Sequence, residues 1–170
     1  MVLALVAIAG VPVTFAAEAA PNPPVKDDGS LAELIARAKS GDAAAQLDLG
    51  RKYLNSDGVS KDSAEGIKWI RNAAVQGYAE AQMVLGSMYT TGGGVPKNGG
   101  EGVKWFRKAA EQGNSDAQFF LAVAYAKGDG APRDTTEAVK WYRKAAEQGN
   151  SLAPPQQNLW VNSGSGRCPR

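Results

Sequence analysis

Residues 78–113 read YAEAQMVLGSMYTTGGGVPKNGGEGVKWFRKAAEQG, and this stretch decides the fold because it occurs three times. Trp105 has counterparts 36 residues to either side, Trp69 and Trp141. Gly113 has counterparts at Gly41, Gly77 and Gly149, and Tyr89 at Tyr53 and Tyr125. The same offset relates Gly94 to Gly58 and Gly130, Leu85 to Leu49 and Leu121, and Glu101 to Glu65 and Glu137. It also relates the pair Ala109-Ala110 to Ala73-Ala74 and Ala145-Ala146. A fixed period of this length marks stacked supersecondary units. Three full units follow, 42–77, 78–113 and 114–149.

Each unit reads as two helices. Ala81, Val84, Leu85, Met88 and Tyr89 fall at i, i+3, i+4, i+7 and i+8, one apolar stripe at helical period. Ala117, Phe120, Leu121, Ala124 and Tyr125 repeat it. A glycine turn follows, Gly92-Gly93-Gly94 in the middle unit. The second helix opens on Asp62, Asn98 or Asp134, each three residues before a glutamate. That is the spacing of a capping box, in which the glutamate reaches back to the cap. Val103, Phe106, Ala109 and Ala110 form the second stripe, with Trp105 alongside, and Gly113 ends it where a left-handed residue is wanted. Neither helix can bury its stripe alone. Stacking buries one unit against the next, and the alanine pairs allow close approach. The expected fold is all-α, a solenoid of helix-turn-helix repeats.

The pattern Ala81-Gln82, Leu85-Gly86, Tyr89, Gly92, Gly94-Val95, Trp105, Arg107-Lys108-Ala109-Ala110 and Gly113 resembles the Sel-one-like repeat (SLR), a relative of the tetratricopeptide repeat. The resemblance covers residues 42–149. It implies a right-handed superhelix whose first helices line a concave face, and the work of a scaffold or adaptor that binds a protein or peptide segment. Cysteine-rich members of the family are linked with β-lactam binding, which makes an envelope β-lactam-binding or hydrolysing protein the alternative. No serine here has a lysine three residues on, and the paired cysteines of that branch are absent.

Composition narrows the function further. The 170 residues carry 19 basic and 17 acidic side chains, a formal charge of +2, which gives no pull toward nucleic acid. Histidine is absent, and with it the Ser-His-Asp and Cys-His arrangements. Cys168 is the one cysteine, so neither an internal disulfide nor a cysteine metal site is available. No Gly-Lys pair exists to build a phosphate loop. The expectation is no enzyme, no cofactor and no metal. Oligomeric state is left open.

Val2 to Phe15 is almost wholly apolar and runs into small residues up to Ala20. It is short for a membrane span, which needs about 20 residues. The first basic residue is Lys26, so the usual basic lead is missing. A start upstream and an uncleaved anchor both fit that. The expectation taken is a secretory signal over 1–19, export to the periplasm or beyond, and no stable span in the mature form. Residues 20–29, with Pro21, Pro23 and Pro24, read as a linker. Residues 30–41 read as the second half of an earlier unit, with Glu33 where a tryptophan belongs, as a polar capping helix should have. Pro154 and Pro155 stop a fourth unit in its first turn, and 150–170 is a divergent tail.

Positions equal in all copies hold the stack. Positions that differ on the first helix are free to carry specificity. They are Leu47/Met83/Phe119, Asp48/Val84/Phe120, Arg51/Ser87/Val123 and Asn55/Thr91/Lys127. The candidate partner-binding residues are Asp48, Arg51, Asn55, Met83, Ser87, Phe119, Val123 and Lys127. Phe119 and Phe120 cannot share one stripe, so Phe119 is the candidate exposed anchor. The basic residues of the second helices are read as a solvated face, with Lys108 and Lys144 placed to pair with Glu111 and Glu147.

Overall fold

The structure is a computed structural model that describes residues 30–153. Seven α-helices and no strand occur among the described residues. They are α1 Ser30–Lys39, α2 Ala43–Asn55, α3 Ser63–Val75, α4 Ala79–Thr91, α5 Gly99–Glu111, α6 Ser115–Lys127 and α7 Thr135–Glu147. Each packs on the next in chain order. The result is an all-α solenoid in which α2–α3, α4–α5 and α6–α7 are the three units and α1 precedes them in the register of a second helix.

Local chemistry sets each boundary. The side chains of Asp62, Asn98 and Asp134 accept from the backbone N–H of Glu65, Glu101 and Glu137 at 3.0, 3.1 and 3.0 Å. The glutamates do not reach back to the cap. Each accepts instead from a lysine one turn on: Glu65 from Lys68, Glu101 from Lys104 and Glu137 from Lys140. The first helices end on residues in the left-handed region, Ser56 (φ 61°), Gly92 (φ 82°) and Gly128 (φ 76°). Glycine takes that conformation without the penalty that a Cβ brings, which Ser56 bears. The turn is then tied down, since the N–H of Asp62, Asn98 and Asp134 donates to the carbonyl of Tyr53, Tyr89 and Tyr125.

Packing follows the repeat. Leu49, Leu85 and Leu121 are 1%, 0% and 0% exposed. Full burial of one such side chain contributes about 1.5–3 kcal/mol, so these three are central to the core. Within a unit the two helices touch at glycines. A Cβ on Gly50 would lie 2.8 Å from the carbonyl oxygen of Gly66, and one on Gly86 would lie 3.0 Å from that of Gly102. The third unit has Ala122 and Ala138 at those positions, both buried.

Between units a polar thread runs through the core. Gln46, Gln82 and Gln118 are buried side chains. Each donates to a carbonyl of the preceding second helix: Ala38, Ala74 and Ala110 at 3.0, 3.0 and 3.2 Å. Each also accepts from a glutamine at the end of its own unit: Gln76, Gln112 and Gln148 at 2.7, 2.8 and 2.8 Å. Among the described residues no buried side-chain polar atom lacks a partner.

Candidate partner-binding face

The variable positions lie on the row of first helices, α2, α4 and α6. Three of the candidates come together at the N-terminal end. Asp48, Arg51 and Asn55 line a concavity of about 450 Å³, whose other wall is Glu33, Leu34 and Arg37 of α1. The spacing 48, 51, 55 puts them on one face of α2, and 30, 33, 34, 37 puts the opposing residues on one face of α1.

Its cations are matched. Arg37 reaches Asp42 at 2.6 Å, Lys52 reaches Asp57 at 2.9 Å, and Arg51 crosses to Glu80 of α4 at 2.8 Å. Asp42 is held below the usual carboxylate range, first by the backbone N–H of Ala45 and then by Arg37. Glu80 also accepts from the Tyr78 hydroxyl at 3.3 Å, and burial together with Glu80 pushes the Tyr78 phenol up. The Arg51–Glu80 pair has no copy further along, because Ser87 and Val123 stand at the arginine's position.

The remaining candidates divide into two kinds. Ser87 and Val123 are half-buried and Lys127 is exposed, one turn from the next along their own helices. Met83 and Phe119 occupy the position of Leu47, which is 1% exposed inside the first core cluster. Met83 packs on the second cluster. Phe119 is half-buried, edge-on to Phe120 at 5.4 Å and 5.8 Å from Tyr142 of α7, so it packs between helices instead of standing free. Phe120 stacks on Phe106 of α5 at 5.4 Å. Phe120 thus packs on α5 and Phe119, beside it, on α7.

On the second helices, Lys108 and Lys144 do not turn to Glu111 and Glu147. Their ammonium groups lie 4.3 and 4.2 Å from the ring centroids of Trp105 and Trp141. Arg71 and Arg107 donate to the hydroxyls of Tyr89 and Tyr125. Sequence reading missed these contacts, although the i, i+3 spacing of Trp and Lys was the signal for the first. No helix of the described residues is long and apolar enough to cross a membrane. The apolar run 2–15 and the tail beyond 153 lie outside the described residues.

The Sel1 repeat family model matches residues 43–78, 79–114 and 115–150, the three helix pairs just described. The chain belongs to the Sel1 repeat family. Among solved structures, this Sel1 repeat chain is similar to a Sel1 repeat protein from Oxalobacter formigenes. Identity is 42% over 78% of this chain and 98% of that one, with a TM-score of 0.72. It is also similar to a protective antigen of uropathogenic Escherichia coli strains that has an SLR fold. There identity is 44% over 72% of this chain, with a TM-score of 0.71. The chain spans 26% of that protein's length. The Helicobacter pylori cysteine rich protein B shares the fold at 18% identity, over 74% of this chain and 90% of that one, with a TM-score of 0.58. No curated protein matches the chain. Sel1 repeat proteins are in general scaffolds for protein–protein interaction.

Proposed function

We propose that this Sel1 repeat chain is a binding scaffold that holds a peptide or protein segment along its row of first helices, the concave side of the superhelix. One observation carries the reading. Core positions such as Leu49, Tyr53, Ala73 and Ala74 recur unchanged in all three copies, while Asp48, Arg51, Asn55 and their counterparts on that row differ in every copy. Asp48, Arg51, Asn55, Ser87, Val123 and Lys127 are the contact residues in this reading. Met83 and Phe119 shape the row from beneath. The scaffold acts outside the cytoplasm, a reading supported by the apolar run Val2–Phe15. The protective-antigen role of the Escherichia coli neighbour is in keeping with it.

Chemical crosslinking of the tagged full chain in its native cell, followed by mass spectrometry, tests this. The expected result is a recurrent partner that is lost on Ser87→Glu with Val123→Glu, while the thermal melt is unchanged. Retention of the partner in that double variant contradicts the reading.

A further inference from the structure

Asn98-Gly99 is the one Asn-Gly pair in the sequence. An asparagine in this setting carries a reaction between its own side chain and its main chain. The nitrogen of the next residue can reach the side-chain amide carbon, and a glycine there, having no Cβ, leaves the approach open. Asn98 caps α5, and its two copies in the repeat, Asp62 and Asp134, are already acids.

The structure explains why a glycine follows Asn98. A Cβ on residue 99 would lie 3.0 Å from Asp129 Oδ1, 3.1 Å from Cα of Gly130 and 3.2 Å from the Gly130 nitrogen. A Cβ on Gly130 would strike the Gly99 carbonyl in turn. The start of α5 and the turn after α6 therefore meet backbone to backbone. Gly94, the copy of Gly130 one unit earlier, faces the Ile67 side chain instead, and Ser63 stands in the register of Gly99 there. Packing thus imposes the glycine that makes Asn98 reactive.

The folded cap holds the reaction back. Asn98 Oδ1 accepts from the Glu101 N–H at 3.1 Å, with ψ at 94°. Ring closure needs the Gly99 nitrogen eclipsed with Cβ about the Cα–C bond, and at this ψ the two stand on opposite sides. Closure therefore waits for the cap to open. Two features favour that opening. Asn98 is exposed. Gly99, Gly100 and Gly102 begin the helix, where the third unit has Thr135, Thr136 and Ala138. Glycine is the poorest helix former after proline, so this turn opens more readily than its third copy.

We propose that Asn98 is a site of spontaneous deamidation, gated by the cap of α5. This modification does not rest on the scaffold reading. When the cap opens, the Gly99 nitrogen attacks Cγ of Asn98 and gives up its proton. The Cγ–Nδ2 bond breaks, and ammonia leaves behind a cyclic imide. Water then opens the imide at one of its two carbonyls. Attack at Cγ gives aspartate in the original main chain. Attack at the main-chain carbonyl gives isoaspartate, with the main chain routed through the side chain. The net exchange is one water taken up for one ammonia released. Aspartate restores the cap with a full negative charge at the positive end of α5, as in the first and third units. Isoaspartate adds a methylene to the main chain and takes the acceptor away from the Glu101 N–H.

The test is to age the purified full chain in mildly alkaline buffer, folded and in urea, and to follow each asparagine by mass spectrometry. Electron-transfer fragmentation separates aspartate from isoaspartate. Conversion is expected at Asn98 well ahead of Asn55 and Asn114, which precede serines. It is expected to be roughly fivefold slower in the folded chain than in urea, the factor by which a typical N-cap bond holds its closed form. Asn98→Ser, which keeps a cap without an amide, is expected to remove the product and to leave the thermal melt close to the parent's. The separated aspartate form should melt no lower than the parent, and the isoaspartate form lower. Conversion no faster at Asn98 than at Asn55 or Asn114 in urea overturns the site. Equal rates at Asn98 in the folded chain and in urea overturn the gate.

Discussion

The Gln82 side chain joins three helices: its Nε2 donates to the Ala74 carbonyl of α3, and its Oε1 accepts from Gln112 at the end of α5. Gln82 is 4% exposed, so neither bond can be replaced by water. Gln82→Ala is expected to cost about 2 kcal/mol, since it leaves buried polar groups unsatisfied. Gln112→Ala should cost less, because Gln112 is exposed and its removal frees only one end of the thread. A double-mutant cycle in urea should show coupling of about 0.5–1.5 kcal/mol between the two positions. Additive effects would mean that the pair is incidental.

Gly86 should reject alanine. Its Cβ would lie 2.7 and 2.8 Å from the Phe106 ring and 3.0 Å from the Gly102 carbonyl, and backbone cannot give way as a flexible side chain does. A loss of about 1–3 kcal/mol is expected, despite the better helix propensity of alanine. The third unit provides the reverse test. Ala122→Gly should cost about 1 kcal/mol, mainly through backbone entropy. Equal tolerance at both sites in thermal melts would contradict the close-contact account.

The fold was legible in the sequence because many of the residues that build it recur at the same offset. Leu85, Tyr89 and Trp105 each announce two copies of themselves. The face was less legible, because exposure depends on a residue's place in the stack as well as on its place in the repeat. Leu47, Met83 and Phe119 share one register, yet Leu47 is buried while Met83 and Phe119 are half-buried. The same holds for Ile70 and Tyr142. Single-copy contacts such as Arg51–Glu80 leave no periodic trace at all.

Lys108 over Trp105 and Lys144 over Trp141 have a missing third member, since Asn72 stands at that place beside Trp69. Asn72→Lys is expected to raise stability by about 0.5 kcal/mol, and Lys108→Ala to lower it by a similar amount. Salt should change either effect little if the indole is the partner. A strong salt dependence would point to carboxylates instead.

Acid should loosen the start of α2. The Asp42 carboxylate is stabilised by the Ala45 N–H and by Arg37, so its folded pKa lies below the ordinary 3.8. A group whose pKa is depressed on folding contributes stability above its unfolded pKa and loses it as pH falls through the folded one. Hydrogen exchange at Ala45 should therefore gain an opening contribution as pH drops below about 3.8. Asp42→Asn should shrink that response. An unchanged profile in the variant would assign the acid sensitivity elsewhere.

The scaffold reading is tested most directly by placing a photoreactive amino acid at single sites of the full chain in its native cell. The account predicts that position 87, on the row of first helices, gives one recurrent adduct, and that position 104, on the exposed side of α5, gives none. Adducts of equal yield and the same identity at both positions, or none at position 87 in a folded chain, would contradict it.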